Sequence, residues 1–416
     1  MYKNTSYRRG PRRAGTQSYS GRSYSTGSRH SSPRKNSKQT IDPARFVKAA
    51  NPGESSTYKS VHEFADFAMH PLLKSNVTSK GYLTPSEIQD KTITLGLEGK
   101  NVVGVANTGT GKTAAFVLPI LNKLMRSHSS RALVVAPTRE LAIQIEDQCR
   151  LLSKNSGLRS ALLIGGMPMG RQKTLLRDAR LIIGTPGRIK DHMRQGTLTL
   201  SGYDTVVLDE VDRMLDMGFV KDVRSILSEL PADHQAFFFS ATLSPEIQSL
   251  IETFTKDPVV INVKAGETSA NVNQGVINFS GKNEKMDSLH NLLIHEDTKK
   301  ALIFGKTKYG VERLAKELKD RGFKAEALHG GKSQGQRKRA LDSFRENQIN
   351  VLVATDVAAR GIDVIDITHV INFDIPQTYD DYVHRIGRAG RAGQPGRALT
   401  FVEKAPVPTF APRHTY

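Results

Sequence analysis

The sequence lacks tryptophan, has one cysteine among its 416 residues and contains no long apolar run. A single cysteine, Cys149, cannot pair within the chain, which excludes a disulfide-stabilised scaffold. Its neighbours have a helical pattern, so we expect a buried and inert thiol. No stretch approaches the roughly 20 apolar residues that a membrane-spanning helix needs, so we expect no membrane span.

Acidic residues are scarce: 41 Asp and Glu stand against 60 Lys and Arg, and the formal net charge is +19. Such an excess of positive charge attracts polyanions at long range. Residues 1–40 contain no acidic side chain and no Val, Leu, Ile or Phe, so we predict a disordered basic tail there. Arginines interleaved with tyrosines favour an accessory arm for single-stranded RNA over a merely solubilising one.

Short β-branched runs alternate with longer stretches of helical periodicity from Val61 onward. Apolar runs without alternation, separated by helices, are typical of parallel sheets covered on both faces. We predict a first set of strands at 102–105, 132–136, 161–164, 181–183, 205–208 and 237–239, and a second at 301–304, 351–354, 369–372 and 398–402. The fold class is therefore α/β, with a first domain over 41–263, a linker over 264–273, a second domain over 274–405 and a C-terminal tail over 406–416.

A glycine-rich loop follows the first predicted strand and leads into a helical stretch. Small residues let the main chain approach a phosphate chain, which backbone N–H groups and a helix N-terminus can then bind. Lys112 would reach the β- and γ-phosphates, and Thr113 would ligate Mg²⁺. An ordinary glycine-rich turn is the alternative, since the strict pattern has glycine where Ala106 stands. The predicted nucleotide-binding residues of this loop are Ala106, Asn107, Thr108, Gly109, Thr110, Gly111, Lys112 and Thr113.

Two adjacent carboxylates follow the predicted strand at 205–208. Asp209 suits a metal ion, and Glu210 suits the base that orients an attacking water. An acidic strand end is common by itself, but this one falls on the same sheet edge as the phosphate loop. We therefore interpret Lys112, Asp209 and Glu210 as parts of one catalytic site.

These motifs resemble those of the DEAD-box family of ATP-dependent RNA helicases, and the resemblance runs in order from about Phe64 to Val402. It implies two RecA-like domains that bind ATP and RNA. It also implies that Gln89 pairs with the adenine edge and that the Phe64 ring supports this contact. The residues that look like the family's Q motif are Phe64, Gly81-Tyr82, Pro85 and Ile88-Gln89.

Arginines recur at every third position near the end of the second domain, at Arg385, Arg388 and Arg391, with glycines between them. Glycine weakens a helix and like charges repel, so this pattern is unfavourable unless an anion lies opposite. The resemblance implies that Arg388 and Arg391 are arginine fingers on the γ-phosphate. It further places Gly361 and Asp363 in the nucleotide site, with Asp363 on the ribose, and assigns Arg360 to domain closure.

The sequence Ser240-Ala241-Thr242 ends another predicted strand of the first domain. Hydroxyl groups at a strand end are often only caps. The resemblance implies that these hydroxyls bond to Asp212 and to His384 of the second domain, and so link hydrolysis to strand separation.

Polar or glycine residues follow several strands of the first domain and offer amides, hydroxyls and guanidinium groups to phosphates. Each could be an ordinary strand-to-helix turn, but together they predict an RNA track with weak sequence preference and strong salt dependence. The resemblance adds two residues of the second domain. The predicted RNA-binding residues are Pro137, Thr138, Arg139, Gly165, Gly166, Thr185, Arg188, Arg337 and Thr355.

The sequence therefore predicts an RNA helicase that uses ATP and Mg²⁺ to unwind or remodel RNA or RNA–protein complexes locally. We expect a monomer in the cytoplasm, with the nucleus or an organelle open for a eukaryotic cell. Two alternatives remain: a DNA-stimulated translocase, and a non-enzymatic, ATP-gated RNA clamp. The Q motif and the arginine spacing favour RNA over DNA, and the filled catalytic positions oppose a clamp.

Overall fold

The computed structural model describes residues 41–49, 58–107, 109–263, 271–295, 297–359, 364, 366–390 and 394–404, apart from the side chain of Asp380. Several predicted features lie outside the described residues. They are the tail 1–40, linker residues 264–270, the C-terminal tail 406–416, and the site residues Thr108, Arg360, Gly361, Asp363 and Arg391.

The first sheet of the described chain consists of β1 Val102–Val105, β2 Ala132–Val135, β3 Ser160–Leu163, β4 Leu181–Gly184, β5 Thr205–Leu208, β6 Gln235–Ser240 and β7 Val259–Asn262. The strands lie in the order β3-β4-β2-β5-β6-β1-β7, and their described pairings are parallel. The helices of this domain are α1 Pro71–Ser79, α2 Glu87–Leu97, α3 Lys112–Arg126, α4 Arg139–Leu152, α5 Met169–Leu176, α6 Pro186–Arg194, α7 Val211–Asp216, α8 Val220–Leu227 and α9 Pro245–Phe254.

The second sheet consists of β8 Val272–Phe279, β9 Ala301–Phe304, β10 Ala325–Leu328, β11 Val351–Ala354, β12 His369–Asn372 and β13 Gly396–Glu403. It is also parallel, in the order β10-β11-β9-β12-β13-β8. The helices are α10 Gly281–Ile294, α11 Lys308–Asp320, α12 Gln334–Arg345, α13 Asp356–Ala359 and α14 Tyr379–Ile386. None of the described helices in either domain is long and apolar enough to cross a bilayer.

The interior strand β6 shows how the first sheet is held between two apolar layers. All of its residues are buried; Phe237 and Phe239 face one apolar cluster and Phe238 faces the other. Successive side chains of a strand alternate in this way, and each buried phenylalanine stabilises the sheet by roughly 1.5–3 kcal/mol. Packing on both faces thereby fixes the position of the sheet edge at which β1, β5 and β6 end.

The predicted α/β class with two parallel sheets is confirmed, and each predicted strand is present with ends shifted by at most two residues. Strands β7, β8 and β10 were not predicted. Strand β7 is mostly exposed, and β10 contains two alanines and a glutamate. In β8, polar residues and a glycine interrupt the apolar ones. None of the three therefore has the continuous apolar run of a central strand. The prediction for Cys149 is also confirmed, because the residue is buried in α4 and burial raises the pKa of its thiol.

The predicted first domain starts at residue 41, but residues 41–48 pack against the second sheet. They include the short 3-10 helix Pro43–Phe46, and Phe46 is completely buried among apolar residues of the second domain. Lys48 forms an antiparallel bridge with Gln274 of β8. We call residues 41–48 the N-terminal strap.

Candidate nucleotide site and nucleic-acid surface

The predicted phosphate loop lies between the end of β1 and the start of α3. Gly111 has a φ of 93°, a left-handed conformation that strains any residue with a Cβ, so this position favours glycine. Lys112 is buried, and its Nζ donates a hydrogen bond of 2.8 Å to the Ala106 carbonyl. The loop thus ends at the positive N-terminal end of α3, which suits a bound phosphate.

Two further hydrogen bonds fix described residues of the loop, one to the sheet and one within the loop. The Ala106 N–H donates to the Ser240 carbonyl of β6 at 3.0 Å. The Thr110 hydroxyl donates to the Asn107 carbonyl at 2.9 Å. Because β1 and β6 are paired, these contacts bring the loop beside the end of β6.

Gln89 is attached to the phosphate loop by its side-chain amide. Its Nε2 donates to the Gly111 carbonyl at 3.1 Å, and its Oε1 accepts from the Ser86 N–H at 2.9 Å. The Ser86 hydroxyl donates to the Thr110 carbonyl at 2.7 Å. The start of α2 is therefore positioned directly by the loop.

The two aromatic residues of the predicted Q motif have different positions. Phe64 is 3% exposed and packs edge-on against Tyr82, with ring centroids 5.1 Å apart. Tyr82, unlike Phe64, lines a cavity together with Gln89 and Lys112, and its hydroxyl accepts a hydrogen bond of 3.0 Å from Gln148. Phe64 therefore contacts the cavity wall through Tyr82.

Asp209 and Glu210 follow β5 and are both buried. The Glu210 N–H donates to Asp209 Oδ1 at 2.9 Å. Burial raises the pKa of Asp209 to about 7; nearby Glu210 and Asp212 add to this rise, and Lys112 opposes it. Glu210 has a φ of 52°, a left-handed conformation that costs a non-glycine residue free energy and often occurs at functional sites.

One cavity of about 940 Å³ brings these groups together. Its wall includes residues of both domains, and Arg388 of the second domain lies in it together with the phosphate loop and the acidic pair. Among the predicted site residues, those that line it are Gln89, Gly109, Gly111, Lys112, Thr113, Asp209, Glu210 and Arg388. The structure thus places Arg388 of the second domain in the same cavity as Lys112 and Glu210 of the first.

The neighbouring Arg385 has a different environment. Its guanidinium forms two bonds to the Asp356 carboxylate, at 2.6 and 2.7 Å, and donates to Asn372 Oδ1 at 3.1 Å. The anion that faces Arg385 is therefore a carboxylate of the same domain. Asp356, the first residue of α13, thereby holds the C-terminal turn of α14.

Asp212 and the Ser240-Ala241-Thr242 segment, predicted to couple hydrolysis to strand separation, are joined by hydrogen bonds from backbone N–H groups. The expected bonds between hydroxyls and the Asp212 carboxylate are not among the described ones. The Asp212 N–H donates to Ser240 Oγ at 3.3 Å, and the Ala241 N–H donates to Asp212 Oδ2 at 3.0 Å. Thr242 is exposed, and none of the described hydrogen bonds involves its hydroxyl. His384 lies in a small cavity between the domains, and its buried Nδ1 has no partner among the described residues.

Two ion pairs between the domains were not predicted from the sequence. Arg213 of α7, 5% exposed, lies 3.3 Å from Asp381 of α14. Arg337 of α12 lies 2.7 Å from Glu140 of α4, and both side chains are buried. Both pairs join groups distant in sequence, so no local pattern could reveal them.

The predicted RNA track forms a second cavity of about 470 Å³ at the domain boundary. A Cβ on Gly165 would lie 2.6 Å from the Arg139 guanidinium, so the missing side chain leaves room for that group. Gly166 is also close to that guanidinium, while Thr355 immediately precedes α13. The predicted RNA-binding residues that line this cavity are Pro137, Thr138, Arg139, Gly165, Thr185, Arg188 and Arg337.

Asp90 was also missed by sequence reasoning, although it adjoins Gln89. Its buried carboxylate accepts hydrogen bonds from the Tyr58 hydroxyl at 2.8 Å and the Val61 N–H at 2.8 Å, and it pairs with His62 at 2.6 Å. Burial opposes ionisation, but these bonds together hold the pKa of Asp90 below its ordinary value. Asp90 thereby anchors the segment that leads to Phe64.

The fold and the cavity define a class of protein. A phosphate loop and an acidic pair on one parallel α/β domain face an arginine of a second such domain, and a polar track crosses the same boundary. This arrangement is that of a two-domain helicase.

Comparison with known proteins defines the family. Residues 86–250 match the DEAD/DEAH box helicase family, and residues 284–393 match the helicase conserved C-terminal domain. The ATP-dependent RNA helicase CshA of Listeria monocytogenes is 45% identical over 82% of this chain and 66% of its own length. The DEAD-box ATP-dependent RNA helicase CshA of Bacillus subtilis is 44% identical over 82% of this chain and 69% of its own.

A solved structure extends the similarity to both domains. Dbp5 of S. cerevisiae, bound to RNA and ADP BeF3, is 30% identical and matches 84% of this chain and 90% of its own, with a TM-score of 0.74. The chain belongs to the DEAD-box family of ATP-dependent RNA helicases. The predicted family, the RecA-like fold and the enzyme class are confirmed.

Proposed function

We propose that this chain couples ATP binding and hydrolysis to local unwinding or remodelling of RNA and RNA–protein complexes. The observation that carries this proposal is the cavity that Lys112, Asp209 and Glu210 share with Arg388 of the second domain. Because neither domain completes the cavity alone, hydrolysis requires the two domains to close. RNA that binds both domains would favour the closed state.

Mg²⁺ would be held by Thr113 and Asp209 together with the ATP phosphates. The buried Asp209 carboxylate fits this role, because its pKa is raised to about 7 and a cation would supply the missing counter-charge. Within the described ranges, no group of three or more His, Cys, Asp or Glu could hold a metal. One hydroxyl, one carboxylate and the ATP phosphates suit Mg²⁺, which usually binds one or two carboxylates together with substrate phosphates. The cation would neutralise negative charge on those phosphates.

The other residues have separate roles in this mechanism. Loop residues 106–113 wrap the triphosphate, and Gln89 with Tyr82 and Phe64 recognises the adenine. Glu210 orients the attacking water, and Arg388 stabilises charge on the transferred phosphoryl group. Gly361, Asp363 and Arg391 would complete the nucleotide site. Asp212, Ser240, Thr242, Arg360 and His384 would couple hydrolysis to domain movement.

RNA would follow the track at the domain boundary through contacts with its phosphates and sugars. The similarity to Dbp5, whose structure contains RNA and a nucleotide, supports joint binding of the two ligands. We further propose that the chain acts as a monomer, since a single chain supplies both halves of the cavity. Its proposed location is the cytoplasm.

RNA is expected to stimulate ATP hydrolysis at least about tenfold more than single-stranded DNA of the same length and sequence, because the ribose 2′-hydroxyl distinguishes the two strands. Steady-state ATPase assays at fixed salt measure this difference, with Lys112→Ala as the inactive control. Stronger stimulation by DNA would establish the translocase alternative. Hydrolysis no faster than that of Lys112→Ala would establish the clamp.

A further inference from the structure

The N-terminal strap contacts α14 through two of its side chains. Phe46 is fully buried, and its ring centroid lies 4.7 Å from that of Tyr382. The Arg45 guanidinium lies 4.0 Å from the Tyr379 ring centroid. The strap therefore covers two aromatic residues one helical turn apart.

Strand β8 completes the attachment of the strap. The Gln274 N–H donates to the Lys48 carbonyl at 2.8 Å, and the Lys48 N–H donates to the Gln274 carbonyl at 3.2 Å. The Tyr382 hydroxyl donates to Gln274 Oε1 at 2.8 Å. Gln274 thus bonds to the strap through its backbone and to α14 through its side chain.

Helix α14 has two faces with different environments. Tyr382 and Ile386 belong to the same apolar cluster as Phe46. On another face, Asp381 and His384 line the small cavity at the domain boundary, and Arg388 comes two residues after the end of the helix. The strap therefore packs behind the helix whose other face meets the first domain.

We propose that the N-terminal strap is a positioning element for α14, with Phe46 as its anchor, and that it sets how Arg388 meets bound ATP. The proposal rests on the proposed function, because Arg388 acts on the nucleotide only in that mechanism. Phe46 itself touches neither the cavity nor the RNA track. Its effect must therefore pass through Tyr382 and α14.

Phe46→Ala in the full chain is expected to lower kcat for RNA-stimulated ATP hydrolysis about 10- to 100-fold, since small displacements of a catalytic group have effects of this size. The KM for ATP should stay within about threefold, because the phosphate loop and Gln89 belong to the first domain. Phe46→Leu, which retains an apolar anchor, should restore most of kcat.

Phe401→Ala is the matched control. Phe401 is 1% exposed and packs in the other apolar cluster of the second domain, near Phe279 and Phe373. The Phe401→Ala substitution should destabilise the second domain. Assayed below its melting temperature, this variant should keep kcat within about threefold of the unaltered chain. A Phe46→Ala variant with kcat as high as that of Phe401→Ala overturns the positioning role.

Hydrogen exchange provides a readout that does not depend on activity. Phe46→Ala should accelerate amide exchange in α14 about tenfold or more, while exchange in α3 stays unchanged. Unchanged protection of α14 overturns the inference whether or not the chain hydrolyses ATP. If the unaltered chain lacks RNA-stimulated ATPase activity, the proposed function fails, and exchange in α14 alone decides whether the strap positions the helix.

Discussion

Glu210→Gln is expected to lower kcat for RNA-stimulated ATP hydrolysis by about 10²- to 10⁴-fold, the usual contribution of a positioned general base. Glu210 is buried at the end of β5 and lines the cavity with Lys112. Glutamine keeps the size of the side chain but cannot accept a proton, so ATP and RNA should still bind. Single-turnover hydrolysis and fluorescence binding of labelled RNA measure the two effects separately.

Glu229→Gln is the matched control for this experiment, because Glu229 is exposed in the same domain and outside the cavity. It should hydrolyse ATP at the rate of the unaltered chain. RNA-stimulated hydrolysis that is unchanged in Glu210→Gln would refute the assignment of Glu210.

Arg388→Ala is expected to reduce kcat by about 10³-fold or more, the range seen when an arginine finger is removed. Arg388 is 6% exposed and reaches the nucleotide cavity from the second domain. Its loss removes positive charge from the γ-phosphate as charge develops there. Affinity for ATP should change much less, because the phosphate loop remains intact. Steady-state kcat and KM for ATP give both quantities.

Arg388→Lys should recover only part of this loss, since an ammonium group cannot reproduce the planar, bidentate contacts of a guanidinium. Arg397→Ala is a suitable control, because Arg397 is exposed on β13. Full activity in Arg388→Ala would show that the second domain does not contribute to hydrolysis through this residue.

Local sequence patterns were sufficient to predict the phosphate loop and the acidic pair. Each lies within a few residues of a central strand, and the apolar runs of β1 and β5 mark where those strands end. Parallel strands end at one edge of a sheet, so Lys112 and Asp209 could be placed together without a structure.

Contacts between distant parts of the chain were not predictable in this way. The arginine spacing alone does not distinguish Arg385 from Arg388. In the folded chain the Asp356 carboxylate pairs with Arg385, whereas Arg388 lines the cavity. The Arg213–Asp381 pair joins the two domains and depends on their packing.

The predicted first domain included residues 41–48, which pack against the second sheet instead, and the reason is related. Proximity in sequence suggested that Phe46 belongs to the first domain, and an isolated phenylalanine carries no periodic pattern. Its actual neighbour, Tyr382, lies near the other end of the chain. Similarly, the Q-motif pattern did not reveal that Tyr82 lines the cavity in front of Phe64.

The central claim is that one triphosphate is held by groups from both domains. The most direct test is a crystal structure of the chain with Mg²⁺, a non-hydrolysable ATP analogue and a single-stranded oligoribonucleotide. We expect Lys112 Nζ and the Arg388 guanidinium to lie within about 3 Å of phosphate oxygens of the same nucleotide. An Arg388 side chain directed away from a nucleotide bound at Lys112 would contradict the account.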